Sequence, residues 1–121
     1  MSKNILVVDD DQGIAEAVAM VLVGTGYNVE ICLNARDVYK KISTSMPDLI
    51  LLDILLSGED GREIYANLKK DGKTKKIPVI VISAHHTGKK VIKLIGSDKF
   101  LAKPFEREEL IKKITASTKN V

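Results

Sequence analysis

Several classes of protein are excluded by what this chain has little of. It holds a single cysteine, Cys32, in 121 residues, so it has no internal disulfide; lying in an apolar segment, Cys32 is expected to be a small core residue. The longest apolar runs fall far short of the roughly 20 residues that span a bilayer. Met1-Ser2-Lys3-Asn4 leads straight into a strand-like run, and no secretory or transit leader is visible. The expectation is a cytoplasmic protein with no membrane partner. Positive charge is only slightly in excess, at +3. Lysines do gather at Lys69-Lys70, Lys73, Lys75-Lys76, Lys89-Lys90, Lys93 and Lys112-Lys113, but such clusters ordinarily mark solvated helix faces and loops. Direct nucleic-acid binding is not expected. No repeat, low-complexity tract or linker divides the chain, so residues 1–121 are expected to form one domain, with no effector domain in this chain.

What is present is a rhythm. Ile5-Leu6-Val7-Val8 is a continuous aliphatic run that stops at Asp9-Asp10-Asp11. Ile14, Val18, Val21 and Leu22 then recur at helical spacing, with one of the aspartates, most naturally Asp11, as the cap and Gly24-Thr25-Gly26 as the end. Asn28 to Cys32 reads as a short strand. Asn34 is positioned to cap a helix carrying Val38 and Ile42, which ends in Ser43-Thr44-Ser45. Pro47 introduces Asp48-Leu49-Ile50-Leu51-Leu52-Asp53, whose four unalternated aliphatics suit a strand covered on both faces. A turn-rich stretch to Gly61 precedes a helix with Ile64 and Leu68, broken at Asp71-Gly72. Ile77 to Ile82 is a fourth strand ending at Ser83, with Pro78 tolerable near its start. A helix follows from His86 to Ile95, with Val91, Ile92 and Ile95 on one face. Lys99-Phe100-Leu101 is a brief fifth strand before Lys103-Pro104. Leu110, Ile111 and Ile114 mark the last helix, with Lys112, Lys113 and Lys119 toward its negative end.

Five strand-helix pairs imply an α/β fold: a parallel five-stranded sheet with helices on both faces, a three-layer sandwich. Ligands of such sheets bind beyond the carboxyl ends of the strands. Four strands end there in polar residues: Asp9-Asp10, Asp53, Ser83 and Lys103. Gathered carboxylates repel, by about 4 kcal/mol for two charges 4 Å apart at an effective dielectric of 20. Lys103 would supply one compensating charge and a divalent ion two. Mg²⁺ suits such a set best, since it takes one or two carboxylates, waters and a phosphate oxygen. The constellation therefore reads as a phosphoryl-acceptor site, with Asp53 as nucleophile and Ser83, Lys103 and the ion stabilising charge on the phosphoryl oxygens.

Val7-Val8-Asp9-Asp10-Asp11, Asp53 with Gly61 eight residues later, Ser83-Ala84, and Gly96 to Phe105 containing Phe100 and Lys103-Pro104 together resemble the receiver domain of two-component response regulators. The resemblance covers essentially the whole chain. It implies the flavodoxin-like strand order 2-1-3-4-5, for which a receiver is the stock example. It also implies that Asp53 is the phosphoacceptor, that Asp10 binds Mg²⁺ directly and Asp9 through water, and that Asp53 and the Leu55 backbone carbonyl complete the protein ligands. Ser83 becomes the switch hydroxyl, Phe100 the switch aromatic, and Lys103 the phosphate partner before a cis Pro104. The phosphodonor would be a sensor histidine kinase or a histidine phosphotransfer protein. Such a domain acts as a regulator that catalyses only its own phosphorylation and dephosphorylation. It passes its state to a protein target, or to a second copy in a phosphorylation-dependent homodimer.

Departures from the family pattern are instructive. Ser57 stands where receivers commonly have Pro. Phe100 has no hydroxyl, so its rotation would report by bulk alone. Ser83 to Lys103 spans twenty residues, which shortens the fourth-helix region. Leu55 and His85 flank the site two residues after Asp53 and Ser83; an apolar Leu55 should obstruct the attacking water and lengthen the life of the phosphoform. His85 and His86 lack ligand partners at metal spacing and are expected at the site's rim. Three rival classes fit less well. A pseudo-receiver that binds partners without phosphorylation is suggested by Ser57 and the shortened fourth-helix region, but the acidic pair, Asp53, Ser83 and Lys103 are all present. A dehalogenase-type phosphohydrolase needs a second Asp where this chain has Leu55. A dinucleotide protein needs glycines where the first strand-helix turn has acids.

Overall fold

The structure, a computed structural model, describes residues 3–56, 59–84 and 100–118. Strand β1 (Asn4–Val8) leads to helix α1 (Gln12–Gly24), then β2 (Asn28–Cys32), a 3₁₀ turn (Ala35–Asp37) and α2 (Val38–Ser45). Next come β3 (Leu49–Asp53), two short strands β4 (Leu55–Leu56) and β5 (Glu59–Asp60), and α3 (Gly61–Lys70). Strands β6 (Val79–Ala84) and β7 (Phe100–Lys103) and helix α4 (Arg107–Thr118) complete the described elements. The main sheet has the order β2-β1-β3-β6-β7 with every neighbour parallel. Counting only its own strands, that is the flavodoxin-like 2-1-3-4-5 order expected from the resemblance.

Alternation along the strands builds two cores, one on each side of the sheet. Leu6, Val8, Ile50, Leu52, Val79 and Val81 face Val38 and Ile42 of α2 and Ile64 and Leu68 of α3. Ile5, Val7, Leu49, Leu51, Ile80 and Ile82 face Ala15, Val18 and Leu22 of α1 and Leu110 and Ile114 of α4. All five residues of β3 are buried, and burial of each aliphatic side chain contributes roughly 1.5–3 kcal/mol. Cys32 is buried as a core residue, as expected.

Local differences from the sequence expectation have physical causes. The inward stripe of α1 is Ala15-Val18-Leu22, while Ile14 is 37% exposed at the helix flank. Asp11 does cap α1, its carboxylate accepting the Ile14 N–H. Asn34 caps the 3₁₀ turn and not an α-helix, because its side chain accepts the Asp37 N–H. Ser43, Thr44 and Ser45 stay within α2, their hydroxyls donating to the Lys40 and Lys41 carbonyls, and Met46 in the left-handed region ends the helix. Asp48 precedes β3 and accepts the Asn4 N–H. Strand β6 starts only at Val79, since Ile77 belongs to the preceding turn, where its N–H donates to the Thr74 carbonyl. Helix α4 runs to Thr118 and carries no basic residue in its last turn, so Lys112 and Lys113 sit mid-helix. Residues Ser57 and Gly58, His85, the expected helix from His86 to Ile95, the 96–99 stretch and Lys119 lie outside the described residues.

Candidate functional site

The same alternation that makes the cores also sorts the polar strand ends. Asp9 continues the parity of Ile5 and Val7, Asp53 that of Leu49 and Leu51, and Lys103 that of Leu101. Period-two side chains therefore bring these three to one side of the sheet's carboxyl edge. Parallel register keeps them level: Val8 pairs with Leu52, Asp53 with Ile82, and Ala84 with Lys103. Lys103 Nζ donates to Asp53 Oδ2 at 2.9 Å and to Asp9 Oδ2 at 3.3 Å. Asp9 Oδ1 accepts the Asp11 N–H at 3.0 Å, so each oxygen of this buried carboxylate has a partner. The Asp9 N–H continues the β1–β2 ladder by donating to the Cys32 carbonyl.

Electrostatics follow from this burial. Burial pushes the Asp9 carboxyl above its usual range, and the Asp53 charge adds to the rise; the Asp11 N–H and Lys103 only partly offset it. For Lys103 burial acts downward, but hydrogen bonding and charge from Asp53, then from Asp9, outweigh it and hold the ammonium above its ordinary value. One oxygen from each of Asp9, Asp10 and Asp53 lies within 4.8 Å of the others. Three hard oxygen donors at that separation suit Mg²⁺ in chemistry and spacing, because the ion prefers carboxylates and retains waters. Lys103 carries one positive charge to the three carboxylates, and a divalent ion held by Asp9, Asp10 and Asp53 would bring two more.

Ser83 is buried one residue beyond the register partner of Asp53, and it pairs with Ala102 across to β7. It shares the opposite parity with Phe100, which is buried in the α2–α3 core and pairs with Val81. Strand parity thus separates Ser83 and Phe100 from the Asp9-Asp53-Lys103 triad; Ser83 lies at the carboxyl edge, whereas Phe100 opens β7. Leu55 opens β4 just beyond Ile54, and the Lys103-Pro104 bond is cis, as expected.

One positioning residue exceeded the turn role expected of it. The Gly61 N–H donates to the Ile54 carbonyl at 2.8 Å, closing the β4–β5 hairpin back onto the end of β3. A side chain here would bring its Cβ within 2.6 Å of Ile54 Cα and 2.7 Å of the Asp53 carbonyl oxygen. Only glycine lets α3 start against the backbone that carries Asp53. The sequence signal was its place eight residues after Asp53; the backbone it would strike is distant in no pattern visible in composition.

A family model described as the response regulator receiver domain matches residues 5–115. The phosphate regulon transcriptional regulatory protein PhoB of Pseudomonas aeruginosa is 36% identical over 118 residues, covering 96% of this chain and 52% of that protein. The chain spans about half the length of the curated relatives it matches. Among solved structures, the signal receiver domain of a signal transduction histidine kinase from Syntrophus aciditrophicus superposes with a TM-score of 0.89 at 30% identity, covering 99% of this chain and 92% of that one. The chemotaxis response regulator CheY4 of Vibrio cholerae gives 0.86 at 26% identity, covering 97% and 99%.

Proposed function

Because this chain belongs to the response regulator receiver domain family, we propose that it is a phosphoacceptor switch whose reactive residue is Asp53. The observation that carries the assignment is the Lys103 ammonium shared between Asp53 and Asp9 beside the third carboxylate of Asp10. An Asp53 oxygen attacks the phosphorus of a phosphohistidine on a sensor kinase or phosphotransfer protein. The P–N bond breaks, and its electron pair leaves on the imidazole nitrogen. Asp9, Asp10, Asp53 and the Leu55 carbonyl would hold Mg²⁺, which when bound supplies positive charge to the phosphoryl oxygens. Lys103 stays oriented by Asp9 and neutralises part of the charge on the new phosphoaspartate. Ser83 would donate its hydroxyl toward the phosphoryl group, and the shift would pass along β6 and β7 to Phe100, whose turn alters the surface offered to partners.

The test is direct. Incubated with acetyl phosphate and Mg²⁺, the protein should gain the mass of one phosphoryl group, and Asp53→Asn should gain none. An adduct that forms without divalent ion, or that survives in Asp53→Asn, would overturn the assignment.

A further inference from the structure

The residues that follow β1 carry two side-chain caps in series. Asp9 Oδ1 accepts the Asp11 N–H at 3.0 Å, and Asp11 Oδ1 accepts the Ile14 N–H at 3.1 Å. The first bond closes an Asx turn, in which a carboxylate takes the amide two residues on. The second is the N-cap of α1: the Asp11 backbone is extended (φ −89°, ψ 107°), and its carbonyl accepts the Ala15 N–H. Asp11 therefore donates to the site with its backbone and accepts from the helix with its side chain. The helix end of this relay is fixed, because Ala15, Val18 and Leu22 are buried against the sheet. Room at the link is narrow. A Cβ on Gly13 would lie 3.3 Å from Asp11 Oδ1.

The consequence falls on the other oxygen of Asp9. Its Oδ2 meets Lys103 at 3.3 Å, longer than the 3.0 Å bond from the Asp11 N–H. It is longer too than the 2.9 Å bond from Lys103 to Asp53. A carboxylate free to turn would close on the ammonium, since charge-assisted bonds are the stronger kind. It would then draw Lys103 away from Asp53. By holding Oδ1, the Asp11 N–H opposes that turn. Asp11 itself is exposed and is not among the carboxylates gathered within 4.8 Å of one another. Resting on the divalent-ion reading of that cluster, we infer that Asp11 is a positioning residue, whose cap on α1 fixes the Asp9 carboxylate for the ion. Three adjacent aspartates thus divide into two that would hold the ion and one that ties them to a helix.

The experiment measures Mn²⁺ affinity of the full chain by electron paramagnetic resonance, with amide exchange of the ion-free protein followed by NMR. Asp11→Ala removes the capping oxygen and should weaken Mn²⁺ binding about tenfold, a typical loss when the partner behind a metal ligand is removed. Asp11→Asn keeps that oxygen and loses an exposed charge, so it should weaken binding less than about threefold. Asn34→Ala deletes a cap of the same span from the 3₁₀ turn; it should lower stability and leave Mn²⁺ affinity as in the parent. On an Asp9→Ala background, Asp11→Ala should change affinity less than about twofold. Without ion, the residue-11 amide should exchange about tenfold faster in Asp11→Ala than in Asp11→Asn. Parent-like affinity in Asp11→Ala, equal losses in Asp11→Ala and Asp11→Asn, an undiminished effect on the Asp9→Ala background, or equal amide exchange would each overturn the inference. A parent that binds no Mn²⁺ would overturn the divalent-ion reading and this inference with it.

Discussion

Lysine serves the two ends of this sheet in opposite ways. At the carboxyl end Lys103 is half-buried, and two acids from other strands hold it. At the amino end Lys70, Lys73, Lys75 and Lys76 stand in water on a turn held by hydrogen bonds within a few residues of themselves. The first lysine is positioned by tertiary structure, the others by local structure. Removing the first should therefore disturb stability and chemistry together. Removing the others should leave both nearly intact, since exposed charges contribute about 0–1 kcal/mol even when paired.

The largest effect that would break this contrast belongs to Lys103→Gln. It leaves Asp9 and Asp53 facing one another without their shared cation, so phosphorylation by acetyl phosphate should slow by about 100-fold. Stability without Mg²⁺ should fall by about 2 kcal/mol. The parent's Lys103 contribution should be present throughout the neutral range, because a raised lysine pKa confers stability below 10.5 that is lost as pH climbs through the folded-state value. Urea unfolding at neutral pH and above measures this; a Lys103→Gln protein as stable as Lys75→Gln would erase the difference between the two ends.

Gly61→Ala comes next. Its Cβ cannot fit beside the Ile54 and Asp53 backbone, so a loss of about 3 kcal/mol is expected, with weakened Mn²⁺ binding by electron paramagnetic resonance. Mn²⁺ affinity equal to the parent in the folded fraction would reduce Gly61 to a packing role. Asp9→Asn should go the other way. A carboxyl held above 3.8 costs stability as pH rises past that value and remains costly at neutral pH. The variant should gain about 1 kcal/mol near pH 7 while losing divalent-ion affinity, and its stability should fall less than the parent's as pH rises past 3.8. The smallest effect is kinetic: Leu55→Asn should speed loss of phosphate from Asp53 by about threefold, the order of one modest contact. Faster decay in the parent would show that Leu55 does not hinder water.

Much of this was legible in the chain because strands buried on both faces announce themselves. Leu49 to Leu52 and Ile5 to Val8 have no alternation, so their limits and their terminal acids stand out. Strand parity was not read from the chain, though it needs only a count by twos from buried residues to Asp9, Asp53 and Lys103: the sequence reading grouped Ser83 with them without sorting the faces. Helix faces were less legible. Ile14 satisfies the spacing of α1 but lies at its flank, because Ala15 gives the closer fit to the sheet. The β4–β5 hairpin escaped notice, since two-residue strands carry no periodic signal. The closeness of Gly61 to Ile54 depends on where α3 begins in space. The charge state of Asp9 likewise depends on burial that its neighbours in sequence do not reveal.

The Lys103 contact with Asp9 links residues 94 positions apart in the chain, and that with Asp53 links residues 50 apart. No fragment, nascent chain or partly unfolded form can close both contacts before β1, β3 and β7 have all joined the sheet. The Asp9-Lys103-Asp53 cluster is thus a checkpoint on assembly of the sheet: it exists only once these three strands have come together.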